Sequence, residues 1–264
     1  IVYVSLQPGA VEGWSAYLVP DFSRVLDPDL LINAMGQAFF SMSLGVGTML
    51  VYGSYLSKNE NLPSIGASVA LVDIGVAVIA GMLIIPAMYV ALNNGVEIFT
   101  PEGALIQGDT LIFKVLPALF DTIGSVGLFV AFTFFALMAI AAVTSSISML
   151  EVPVAFMVES KGLQRKKAVL LMASVIFVLS CIIILNFETL FGFVIALTTE
   201  YSQPLLGLAL CIFAGWVWRR DAILDELKQG DQFAEHSIFW KIWPWYVRFV
   251  CPVIIALMFY RSVF

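Results

Sequence analysis

"FFSMSLGVGTML", residues 39–50, lies inside an apolar stretch covering roughly 31–56, long enough to cross a bilayer, yet it carries Ser41, Ser43, Gly45 and Gly47 in close succession. A helix surrounded by lipid gains nothing from that composition. Each glycine costs about 1 kcal/mol of helicity against alanine, and the neighbouring hydroxyls make local unwinding cheap. Unwound backbone persists in a bilayer only where it faces protein or a water-filled cavity, because its freed amides and carbonyls need partners. Two readings stand on these residues alone: close helix packing through small side chains, or a broken span that lines a site.

The remainder of the chain defines the solvent. Of its 264 residues 61% are hydrophobic and 12% charged, with a mean hydropathy of +0.97, whereas about a quarter of the residues of a soluble domain are charged. Further apolar runs at about 65–91, 123–157, 168–185, 190–216 and 242–259 bring the expected transmembrane helices to six, and the roughly ten-residue alternating segments of a barrel are missing. Lys58, the group Lys161, Arg165, Lys166 and Lys167, and the group Arg219, Arg220, Lys228 and Lys241 follow the first, third and fifth runs. The links after the second and fourth hold only Lys114, so the basic links are cytoplasmic and the N-terminus is outside. Trp240, Trp243, Trp245 and Tyr246 fit an interfacial belt.

Other features exclude classes or add little. The only histidine, His236, sits in a cytoplasmic link without a nucleophile or metal motif, so no enzyme is expected, and nothing in the composition suggests a nucleic-acid partner. Cys181, Cys211 and Cys251 lie within spans and read as packing residues. "WRRDAILDELKQGDQF" reads as a turn or two of amphipathic helix with solvated charges. The exterior segment 93–127 is rich in glycine and proline but contains "TLIFKVLPALF", which predicts short helices folded onto the membrane domain. The opening on Ile1, without a signal-peptide layout, points to a piece of a longer protein.

Polar residues inside the spans are the candidates for function. Asp73, in "ALVDIGVAVIAG", is a carboxylate within a span, which costs several kcal/mol unless it faces an ion or a polar cavity. Ala141, Thr144 and Ser145 share one helix face at i, i+3 and i+4. Two hydroxyls and a carbonyl are hard neutral ligands that suit sodium, although hydroxyls bonded back to their own helix have the same spacing. Glu151 lies near the cytoplasmic end of its span, where solvent suffices for it, and Glu200 has no partner in the sequence pattern. The segment "SLGVG" also resembles the carbonyl filter of potassium channels, but that filter occupies a short re-entrant loop, whereas this segment continues to Tyr52 and Tyr55.

"GQAFFSMSLGVGTMLVYGSYLSKNEN" resembles the sixth helix of the neurotransmitter:sodium symporter family, and "AAVTSSISMLEVPVAF" is similar to its eighth. "PDFSRVLDP", "FKVLPALF" and "WPWYVRFVCP" extend the resemblance over essentially the whole chain. It implies an all-α polytopic membrane protein, the second half of a leucine-transporter-like inverted-repeat fold, running from the end of the fifth helix through the eleventh. Residues 1–30 would form an exterior loop, 31–217 the five helices of the second repeat, and 218–264 a cytoplasmic link and final helix. The implied activity is sodium-coupled symport of a hydrophobic amino acid by alternating access in the plasma membrane, here a bacterial inner membrane. An ion channel and a non-transporting membrane partner are the alternatives.

The resemblance also implies roles. Phe40 matches the aromatic lid over the substrate, and Ser43, Gly45, Val46, Gly47, Ser145 and Met149 match its pocket. Ser41 and Asp73 match one sodium site, with Asp73 where the family commonly has asparagine; Ala141, Thr144 and Ser145 match a second. Gln37 matches the outer gate, and Tyr55 and Glu159 match a tyrosine and an acid of the cytoplasmic gate. Ile195 stands where the outer-gate acid is expected, leaving Glu188 or another group as its substitute. Ala77 replaces the serine of chloride-dependent relatives, so no chloride requirement is expected. The first and third helices, which carry much of the coordination in the family, would belong to an N-terminal repeat missing from this chain.

Overall fold

The computed structural model describes residues 1–100, 105, 106, 108–122 and 125–263. Helices account for nearly all of them. The principal ones are α1 (Ala10–Leu18), α2 (Pro28–Ser41), α3 (Thr48–Ser54), α4 (Leu62–Asn93), α5 (Ser125–Lys161), α6 (Arg165–Leu185), α7 (Phe187–Val217), α8 (Arg220–Gly230) and α9 (Ile238–Arg261). Among the described residues, the β structure is one antiparallel bridge between Phe99 and Leu105.

Five helices, α4, α5, α6, α7 and α9, are long and apolar enough to span a membrane, one fewer than the apolar runs predict. The difference lies in the first run, which is split between α2 and α3, so neither piece crosses alone. The start of the expected third span, residues 123 and 124, and residues 101–104 and 107 of the exterior segment lie outside the described residues. Asn186 alone separates α6 from α7, with a non-helical φ of −128° and ψ of 44°. Local sequence explains several ends: Asp27 accepts from the Asp29 amide and Pro28 opens α2, while Ser237 accepts from the Trp240 amide and caps α9.

The chain divides into two compact units, Ile1–Val25 with Leu71–Thr144, and Leu26–Ala70 with Ser145–Phe264. In the first, the patch within "TLIFKVLPALF" forms short helices that pack onto the spans, as its sequence predicts. Val115, Leu116, Leu119 and Phe120 join Val4, Ala10, Met88 and Ile98 in one apolar core. Gly13 lets α1 close onto α4, because a Cβ there would lie 2.5 Å from the Pro86 Cα. Tyr17 donates its hydroxyl to the Val78 carbonyl at 3.2 Å.

In the second unit α7 packs along α9, and Phe39 of α2 abuts Gly207 of α7. The link after α7 is a regular helix of eleven residues, longer than the turn or two expected. Its Ile223 and Leu227 are buried with Ala234 and Trp240, and Gly230 meets the Glu60 carbonyl so closely that no Cβ would fit. Lys228 donates to Glu235 at 2.6 Å, which holds the Glu235 carboxyl below the usual carboxylate range.

Candidate functional site

The break between α2 and α3 is a closed helix terminus followed by a short crossing. Past Ser41, the Ser43 amide donates to the Phe40 carbonyl and the Leu44 amide to the Phe39 carbonyl, both at 3.1 Å. These are the two bonds of a Schellman ending, and Ser43 fills its left-handed position with φ of 52°, where glycine is usual. A left-handed serine costs about 1 kcal/mol. Gly47 is left-handed as well, with φ of 88°, and starts α3. Gly45 serves close packing: a Cβ would lie 2.3 Å from the Gln203 Cα of α7. One glycine thus packs a helix and the other turns the chain.

The sequence-predicted residues fall into groups. Gln37 and Phe40 line a cavity of about 380 Å³ with Glu200 and Gln203 of α7 and Arg261 of α9. Phe40 is half exposed, and Gln203 is buried. Glu200, which has no partner in the sequence pattern, thus lines the same cavity as Phe40 and Gln37. It lies in a π-helical stretch, Ala196–Ser202, a wide turn frequent at functional sites. Thr198, Thr199 and Ser202 donate their hydroxyls to carbonyls of the same stretch or the turn before it. Glu188 and Ile195 are exposed on α7 and do not line this cavity. Val46 is half-buried, and Thr48, which follows Gly47, buries a hydroxyl that has no partner among the described residues.

On α5, Ala141, Thr144, Ser145 and Met149 are exposed on an unbroken helix. Thr144 donates its hydroxyl to the Ala141 carbonyl at 2.9 Å, the back-bonded geometry. This holds two oxygens side by side, hard donors of the kind that fits part of a sodium shell. Asp73 is half-buried within α4, and Ser41 ends α2 with an exposed side chain.

The C-terminal parts of α3 and α5 bring a third group together. Tyr52 donates to Ser148 at 2.7 Å and Tyr55 to Glu151 at 2.6 Å, so two tyrosines three residues apart meet two partners three residues apart. Arg165 at the start of α6 donates to the other Glu151 oxygen at 2.9 Å. The acid on Tyr55 is Glu151, a residue that the resemblance does not name. Glu159 is exposed two turns further along α5. Glu151 was readable only as a solvated end residue, because its partners lie 96 and 14 positions away.

Residues 1–264 match the sodium:neurotransmitter symporter family. An uncharacterized sodium-dependent transporter of Haemophilus influenzae is 36% identical over 97% of this chain and 55% of its own, and YhdH of Bacillus subtilis, an uncharacterized sodium-dependent transporter, is 32% identical over 95% and 55%. The crystal structure of MhsT in complex with L-phenylalanine superposes with a TM-score of 0.81 at 33% identity, covering 100% of this chain and 58% of that one. The sodium- and chloride-dependent creatine transporter 1 of Homo sapiens is 27% identical over 94% of this chain and 39% of its own. The chain thus spans about half the length of the relatives it matches. On the match over all 264 residues and the superposition of its helices, this chain belongs to the sodium:neurotransmitter symporter family.

Proposed function

We propose that the protein to which this chain belongs is a sodium-coupled symporter of a hydrophobic amino acid, and that the chain supplies the second repeat, residues 31–217, with 1–30 as an exterior loop and 218–264 as a link and final helix. The family and the fold are those of multi-pass membrane transporters, not of enzymes. The observation that carries the reading is the broken span: Ser43 and Gly47 in left-handed backbone inside an apolar run, next to a cavity lined by Phe40, Gln37 and Glu200. A broken helix is costly in lipid and useful where its ends meet a charged ligand.

In this reading Phe40 covers the substrate, and Ser43, Gly45, Val46, Gly47, Ser145 and Met149 shape its pocket. Ser41 and Asp73 contribute to one sodium site, and Ala141, Thr144 and Ser145 to another. Bound sodium supplies a positive charge that favours the substrate-binding arrangement. Asp73 carries its own compensating charge and Ala77 offers no chloride ligand, so transport proceeds without chloride, unlike that of the creatine transporters as they are named. Glu200 stands in for the outer-gate acid that Ile195 cannot provide. Tyr55, Glu151 and Arg165 close the cytoplasmic end, Glu159 lies further along it, and an N-terminal repeat of the same protein completes both sites. The hydrophobic substrate is supported by Phe40, Val46 and Met149 and by the phenylalanine bound to MhsT.

The test is uptake of L-phenylalanine by the full-length protein in proteoliposomes. Saturable uptake that requires an inward sodium gradient and persists when chloride is replaced by gluconate is expected. Uptake that rises linearly with concentration, or that ignores sodium, contradicts the proposal.

A further inference from the structure

The cytoplasmic turn between α7 and α9 holds a second cavity, of about 150 Å³, that none of the transport roles uses. Its wall includes Arg220, Arg248, Trp218, Trp240, Trp243 and Trp245, and no carboxylate lines it among the described residues. The Arg220 guanidinium lies 5.3 Å from the centre of the Trp240 ring, and that of Arg248 lies 4.7 Å from Trp216. Stacking fixes each guanidinium by its face and leaves N–H groups at its edge for an oxygen anion. Neither arginine forms an ion pair among the described residues, whereas Arg165, Lys228 and Arg261 each do.

The local backbone places these groups. Both helices loosen into π turns here, Phe213–Val217 in α7 and Tyr246–Val250 in α9. Gly215 admits the other helix, since a Cβ would lie 3.0 Å from the Arg248 Cα, and its carbonyl accepts the Arg248 Nε at 2.8 Å. The Trp216 indole donates to the Arg248 carbonyl at 3.3 Å. Arg248 is thereby tied at one nitrogen while its residue lines the cavity.

An apolar track leaves this cavity. Phe249 lines it, and Val253 and Leu257 continue at four-residue spacing along α9, 41%, 59% and 58% exposed. Two unpaired arginines, an indole belt and an apolar track match the parts of a lipid in their order at an interface: phosphate, glycerol region, acyl chain. We propose that this cavity binds the phosphate of an anionic phospholipid of the cytoplasmic leaflet, with one acyl chain along Phe249, Val253 and Leu257.

The experiment measures tryptophan quenching in the full-length protein by dibrominated phosphatidylglycerol and dibrominated phosphatidylcholine in mixed micelles. Five of the six tryptophans of this chain, all but Trp14, lie in the segment 216–245. Half-maximal quenching is expected at about tenfold less phosphatidylglycerol than phosphatidylcholine, and the two lipids become equivalent in the Arg220→Gln/Arg248→Gln variant. Arg220→Gln alone, which leaves the Arg248 to Gly215 bond in place, guards against misfolding and should lower the preference about threefold. Equal quenching by both lipids in the wild type, or a preference unchanged in the variants, overturns the proposal. Displacement of the brominated phosphatidylglycerol by an equal concentration of inorganic phosphate assigns the cavity to free phosphate and also overturns it.

Discussion

Two segments of this chain carry hydroxyls in the middle of an apolar run, and they fold differently. Residues 41–47 break into a Schellman ending and a left-handed glycine, whereas α5 continues for 37 residues through Thr144, Ser145, Ser146 and even Pro153. Hydroxyls alone therefore do not open a helix in this sequence. In α5 the Thr144 hydroxyl satisfies itself on the Ala141 carbonyl and the backbone ladder survives. In the first run Gly47 makes left-handed backbone accessible, and Gly45 makes the packing that holds the broken segment against α7 possible.

The largest effect is expected where that packing has no slack. Gly45→Val pushes a branched side chain into the Gln203 backbone and should cost about 3 kcal/mol, seen as a lower unfolding temperature of the detergent-solubilised full-length protein. The same change at Gly36, where a Cβ meets nothing within 4 Å, should be mild, and a similar loss at both would erase the distinction between packing and open positions. The next effect concerns the group of Tyr55, Glu151 and Arg165. Glu151→Gln retains an acceptor for Tyr55 and loses the Arg165 ion pair, whose arginine is 62% exposed, so the loss is modest. A cysteine placed at Ser148 should react about fivefold faster with a cytoplasmic thiol reagent in that background. Unchanged labelling would remove Glu151 from any closing role.

A smaller effect sharpens the comparison from the other side. Ser43→Gly relieves a left-handed serine and should stabilise the break by about 1 kcal/mol, whereas Ser145→Gly, inside a continuous helix, should cost about as much. Thermal unfolding of the two variants moving in the same direction would contradict the assignment of left-handed backbone to Ser43 and helical backbone to Ser145. The smallest effect is outside the membrane. Lys228 lowers the Glu235 carboxyl, so the folded state keeps that group ionised to lower pH than the unfolded state does. Its stabilisation is complete above the ordinary carboxylate range and disappears as pH falls through the lowered value. The difference in unfolding temperature between wild type and Glu235→Gln should shrink over that acid interval, and a constant difference would show that the pair does not couple to folding.

The architecture is largely legible in the sequence because spans announce themselves by length and hydropathy, and the break announces itself by glycine and serine where neither belongs. The site is legible only where its residues are near each other in sequence. Ala141, Thr144 and Ser145 form a pattern at helical spacing. Tyr55, Glu151 and Arg165 do not, and neither do Phe40 and Glu200, since each constellation is made by separate helices meeting. Glu159 drew attention through resemblance, but the three-residue match of Tyr52 and Tyr55 to Ser148 and Glu151 is a geometric relation that one strand of text cannot display. The regular helix α8 was underestimated because its charges mask Ile223 and Leu227, which are four apart and buried together.

The central claim is that the polar faces of these spans serve sodium and a substrate and are not packing devices. It is tested most directly by titrating sodium against binding of radiolabelled L-phenylalanine to the full-length protein, for the wild type and for Thr144→Ala, a variant that removes one hydroxyl from an otherwise unbroken helix. The account predicts that wild-type binding requires sodium, and that Thr144→Ala raises the sodium concentration for half-maximal binding about tenfold, the loss of one good ligand, while binding at saturating sodium is retained. Superimposable sodium curves for the two proteins, or phenylalanine binding that needs no sodium, would contradict it.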